Sequence, residues 1–251
     1  MRVLALAACA AALVAGCAAP SGPSTSGGST REIRTESDQT DTDRRARARF
    51  ELAREYFSNG KMEIALDEVK QAIAAKSDMA EAYNLRGLIY SNLNEPRLAE
   101  ESFRRALQLN GRDPDAMHNF GMFLCQQKRF ADAEAQFAAA LAQPQYRDVV
   151  RTLFGQGVCH ARAGQLAEAE RALQRAYELD SSNPFVAYNL TEVLYRRGDY
   201  DRARFYIRRV NLQRELSNAQ TLWLAARVEK KLGNPRGVDE FGAQLKSRYP
   251  N

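Results

Sequence analysis

Residues 83–106, YNLRGLIYSNLNEPRLAEESFRRA, and residues 117–140, MHNFGMFLCQQKRFADAEAQFAAA, decide the fold when one is laid beneath the other. Gly87 falls on Gly121, Tyr90 on Leu124, Ala99 on Ala133, Phe103 on Phe137 and Ala106 on Ala140, each pair 34 positions apart. A period of that length is one helix–turn–helix unit repeated. The small residue midway along the first helix (helix A) and the small residue opening the second (helix B) let two helices approach, and the large residues fill the space beside them.

Carried outward, the pattern gives six units, at about residues 46–79, 80–113, 114–147, 150–183, 184–217 and 219–251. It matches the tetratricopeptide repeat, so the fold expected is all-α, a right-handed superhelical solenoid of about six antiparallel helix pairs. The first unit carries Leu52-Ala53, Tyr56, Gly60, Ala65, Val69 and Ala72. The fourth follows a two-residue slip near Asp148 and carries Gly157, Gly164, Ala169, Leu173 and Ala176. The fifth has Leu190, Leu194, Gly198, Ala203 and Ile207, and a weaker sixth has Trp223, Ala226, Gly233, Val238 and Leu245. Weak end copies are expected where a solenoid is capped.

Upstream of the repeats the chain reads as an address. Met1-Arg2 and the apolar run Val3–Ala15 are too short to span a bilayer and have the layout of a secretory signal. Leu13-Val14-Ala15-Gly16-Cys17 resembles the lipobox of bacterial lipoproteins. That resemblance implies that residues 1–16 are removed and that Cys17 carries lipid. Three acyl chains at ~0.8 kcal/mol per buried methylene make a lasting anchor. Ala18 resembles the outer-membrane class rather than the retained one. Residues 17–43 then read as the lipidated cysteine and a flexible tether reaching roughly 25–30 Å, and residues 44–251 as the repeat domain.

Charge and composition narrow the function. With 36 basic and 31 acidic residues the formal net charge is +5, a modest excess for 251 residues, and no nucleic-acid motif accompanies it. Cys125 and Cys159 fall in the second halves of helix A in adjacent repeats. They are either a disulfide, closing a loop of roughly 33 residues worth about 3–4 kcal/mol, or two buried thiols. His160 reads as a packing residue and His118 as a concave-wall residue able to bond a partner. No triad, metal set or cofactor motif is present, so neither an enzyme nor a small-molecule site is expected. The expected binding wall is the concave surface of the A helices, with candidates Phe50, Arg54, Phe57, Asn84, Leu88, His118 and Met122. Phe154, Phe185, Tyr188 and Tyr195 continue it as aromatics, and arginines 196, 197, 202, 204, 208, 209 and 214 make the fifth unit basic.

The lipobox, the tether, six repeats and the stretch His118-Asn119-Phe120-Gly121-Met122-Phe123-Leu124-Cys125-Gln126, with Cys159 one repeat on, resemble the PilF/PilW family of type IV pilus biogenesis lipoproteins, the pilotins. The resemblance implies a protein facing the periplasm from the outer membrane. It would bind the pilus secretin subunit and promote its outer-membrane localisation and multimerisation. The alternative is another repeat lipoprotein, scaffolding barrel-assembly or cell-wall machinery.

Overall fold

The computed structural model describes residues 40–250, and among them every regular element is a helix. The helices pair in chain order: α1 (Asp41–Ser58) with α2 (Met62–Ala75), α3 (Ala80–Asn92) with α4 (Pro96–Leu109), and α5 (Pro114–Gln126) with α6 (Phe130–Leu141). Then come α7 (Val149–Arg162) with α8 (Leu166–Leu179), α9 (Pro184–Arg197) with α10 (Tyr200–Leu212), and α11 (Ala219–Lys231) with α12 (Pro235–Arg248). Each pair packs on the next, and the A helices α1, α3, α5, α7, α9 and α11 also touch their neighbours in that series. The fold is the tetratricopeptide solenoid.

Local chemistry starts and stops the helices where the repeat requires. Asp113, Asn183 and Asn218 cap α5, α9 and α11 by accepting hydrogen bonds from the first backbone amides, and proline opens α4, α5, α9 and α12. The turn between the two helices of every repeat has one residue in the left-handed region. It is Gly60, Gly164, Gly198 or Gly233 in four repeats, and Asn94 or Lys128 in the other two. Inside each pair the code residues are dry: Ala53, Ala65 and Val69; Ala99 and Phe103; Ala133 and Phe137; Ala169 and Leu173; Ala203 and Ile207.

Three expectations shift. The helical domain begins at Asp41 rather than 44, because Thr40 and Asp43 form a reciprocal capping box that draws the last tether residues into α1. Leu52 is exposed, and only Ala53 of that pair is core. In the last repeat Trp223 is 58% exposed, and α12 buries Gly237 and Phe241, one residue ahead of the code positions Val238 and Gly242. Helix α12 packs on α11 and meets α10 through Arg208, which lies 3.8 Å from Glu240 and 5.3 Å from the Phe241 ring centroid. The signal, Cys17 and most of the tether lie outside the described residues.

Candidate functional site

Numbering each A helix from the small residue at its centre shows which side chains the wall presents. The residue three before it is Phe50, Asn84, His118, Phe154, Tyr188 and Trp223 along the six repeats, and the residue one after it is Arg54, Leu88, Met122, Val158, Glu192 and Arg227.

Two of the expected groove residues are not available to a partner. Phe50 is 7% exposed, packed in the cluster that holds Ala82 and Leu85, with the guanidinium groups of Arg47 and Arg54 at 5.7 and 5.9 Å from its ring. His118 is 5% exposed. Its Nδ1 lies 3.0 Å from the Thr152 hydroxyl, which is 2.6 Å from that of Tyr146, and its ring lies 5.9 Å from Phe137. Burial, reinforced by the Arg151 charge, pushes its pKa down to about 4. In these two repeats the position faces the neighbouring A helix, and its large side chain is drawn into the inter-repeat contact. Arg54 is exposed and paired with Glu51 at 2.9 Å. Phe57, Asn84, Leu88 and Met122 are half-buried.

A polar ladder that the sequence pattern did not reveal runs beside them. Asn119 Nδ2 donates to Asn84 Oδ1 at 3.2 Å, and Arg151 donates to Asn119 Oδ1 at 2.7 Å and to Asp115 at 3.0 Å. One repeat earlier Arg47 pairs with Glu81 at 3.3 Å. The outer line of the wall, Arg47, Glu81, Asp115 and Arg151, is thus neutralised by its own neighbours. The next residue in that line, Phe185, is 70% exposed.

The wall changes character at repeats four to six. Phe154, Tyr188 and Tyr195 are half-buried on the flank of the core, and Trp223 stands out among them. The Arg227 guanidinium sits 4.4 Å from the Tyr195 ring centroid and 3.9 Å from Glu192. The basic look of the fifth repeat is largely cancelled: Arg202 pairs with Glu170 at 2.6 Å, Arg204 with Asp201 at 2.8 Å, Arg197 with Glu170, and Arg208 with the fully buried Glu229 at 2.7 Å.

Cys125 and Cys159 are joined as a disulfide, with their α-carbons 5.8 Å apart on the touching helices α5 and α7. His160 is half-buried and bonded to Gln165 and Glu134 at 2.8 and 3.1 Å. Among the described residues there is no group of three metal-ligating side chains, and no helix long and apolar enough to cross a membrane.

Comparison with known proteins agrees with this geometry. Tetratricopeptide repeat models match residues 80–113, 113–182 and 160–226. The type IV pilus assembly protein PilF of Pseudomonas aeruginosa is 27% identical over 203 residues, 81% of this chain and 80% of that one. Its solved structure superposes with a TM-score of 0.73 at 26% identity, covering 84% of this chain and 95% of that one. PilW, described as a widely conserved type IV pilus biogenesis factor, superposes with a TM-score of 0.76 at 29% identity over 82% and 94% of the two chains. The chain belongs to the tetratricopeptide repeat family, and its likeness within that family is to the type IV pilus biogenesis factors PilF and PilW.

Proposed function

We propose that this chain is a lipid-anchored outer-membrane protein that binds the type IV pilus secretin subunit along its concave wall, and so helps the subunit reach the outer membrane and assemble into its ring. One observation carries the reading: the likeness to PilF and PilW extends over most of this chain and nearly the whole of both solved chains, far beyond a single generic helix pair. The lipobox ending at Cys17 supports the anchor. The half-buried apolar residues Phe57, Leu88 and Met122 beside a self-neutralised polar ladder support a groove that shields an amphipathic segment of the subunit. The lipid then converts a modest affinity into a high local concentration at the membrane.

The test is crosslinking of the anchored protein in its own cells, with captured partners identified by mass spectrometry. Secretin subunits are the expected product, with capture reduced when Phe57 and Leu88 are changed to Ser. Phe50 is unsuitable for this test, because a polar residue at that buried place would destabilise the first repeat. Cys17→Ser should move the protein out of the outer-membrane fraction. Capture of barrel-assembly or cell-wall components in place of secretin would overturn the pilus reading.

A further inference from the structure

The two halves of the concave wall differ by a feature that recurs once per repeat. In repeats four, five and six an aromatic residue at the groove position is followed eight residues later by a cation: Phe154 and Arg162, Tyr188 and Arg196, Trp223 and Lys231. The corresponding pairs in the first three repeats are Phe50 and Ser58, Asn84 and Asn92, His118 and Gln126, none of them cationic. The last turns of α1, α3 and α5 carry no basic residue, whereas those of α7, α9 and α11 do.

A cation at a helix C-terminus complements the helix dipole, worth 0.3–1 kcal/mol at an exposed end. That effect applies equally to the first three repeats, which do without it. Arg162, Arg196 and Lys231 are exposed, and among the described residues none makes an ion pair, whereas Arg197, Arg202, Arg204 and Arg208 all do. Arg196 donates to the carbonyl oxygen of Ala161 at 2.9 Å, which brings its guanidinium to the last turn of α7, where Arg162 stands. The three cations thus stand in the last turns of three A helices that touch in series, and the three aromatics lie about two turns earlier on the same helices, a rim and a floor in register.

We propose that this half of the wall takes an extended acidic segment of a protein partner, with carboxylates on the rim and apolar side chains on the floor. Spacing selects the conformation. Packed helix axes are about 8–10 Å apart, so the cations recur at about that interval. A polyproline II chain rises ~3.1 Å per residue with three residues per turn, which returns a side chain to the same edge every ~9.3 Å. Carboxylates at every third residue over about nine residues then meet all three cations. Aromatic floors suit such a chain because it arrives already extended, with little ordering entropy left to lose. This inference rests on the protein-binding reading above and deepens it.

The test uses the purified full-length chain in detergent and a fluorescently labelled nine-residue peptide with Glu at every third position and Pro, Leu and Phe between. The chain has a single tryptophan, so Trp223 emission reports directly from the floor. The peptide should shift that emission, and raising salt from 0.05 to 0.5 M should weaken binding roughly tenfold. Combining Arg162→Glu, Arg196→Glu and Lys231→Glu should weaken it at least tenfold, whereas Arg162→Lys with Arg196→Lys should retain it. All three sites are exposed, and far-ultraviolet circular dichroism checks that each variant folds. Equal binding of a peptide of the same composition with its Glu residues clustered, or indifference to the charge reversal, overturns the proposal. Preference for a helical peptide with Glu at every seventh residue overturns the extended form. Secretin capture in cells that survives the charge reversal sinks this site and leaves the pilotin reading intact. Peptide binding with no secretin capture sinks the pilotin reading and leaves the site.

Discussion

A methyl group added at residue 121 would lie 2.8 Å from the Phe137 ring, and one at residue 87 would lie 2.8 Å from Phe103. Both rings are fully buried, so neither can swing aside. Alanine in a helix gains up to about 1 kcal/mol over glycine, whereas overpacking costs about 1–3 kcal/mol. Gly121→Ala should therefore destabilise by about 1 kcal/mol and Gly121→Val by more, read from the urea midpoint. The glycine at 60 is different in kind: nothing lies within 4 Å of its missing side chain, and its role is the positive φ of the turn. His118 makes a second residue-scale prediction. Its folded pKa of about 4 lies below the ordinary 6.5, so the unfolded chain binds a proton that the folded chain refuses. Stability then rises with pH over that interval and is lost as pH falls from about 6.5 towards 4. At pH 5 the loss relative to pH 7 is roughly 2 kcal/mol. His118→Gln should flatten unfolding stability between pH 7 and 5; an unchanged slope would show that another group titrates there.

At the scale of the element, the Cys125–Cys159 bond ties α5 to α7 across the longest connection between repeats. That connection, residues 142–148, has seven residues where those leading into α3, α5 and α9 have four, and its Tyr146 folds back onto Thr152. Reduction should cost about 3–4 kcal/mol by the loop-closure argument. Thermal unfolding with and without reductant measures it, and Cys125→Ser should reproduce the reduced value. At the other end, Thr40→Ala removes a capping side chain from α1 and should cost about 1 kcal/mol, seen as faster amide exchange in its first turn. Helix pairs and their turns were legible in the sequence wherever the code is strict, because a residue between two helices of one repeat has its whole environment supplied by that repeat. Phe50 and His118 were not, since what covers them comes from the next repeat along. Asn94 and Lys128 escaped notice as turn residues for a related reason: the left-handed place is set by the helix ends around it, and only glycine advertises it. Trp223 belonged to the wall rather than the core, at the groove position that Phe154 and Tyr188 hold in the two repeats before it.

Taken whole, the solenoid has a graded interior. A first cluster spans α1 to α3, a second centres on α5 with its neighbours, and the largest runs from α7 to α12. Nearest-neighbour stability of this kind frays from the ends. The last helix buries only Gly237 and Phe241, whereas α5 buries nine residues, so hydrogen exchange should be fastest at α12 and slowest in α5. Equal protection of the two would refute a nearest-neighbour account.

The bond between Cys125 and Cys159 also has a mechanical meaning. Tension applied through residue 40 would peel the first two repeats away in turn, each lengthening the chain like a paying-out rope. At the disulfide the line of force passes straight from residue 125 to residue 159, and the 33 residues between them are left slack. About 110 Å of contour, at ~3.3 Å per residue, is withheld from extension for as long as the bond is oxidised. Repeats one and two give under load, whereas residues 126–158 are held back for as long as the bond stays oxidised.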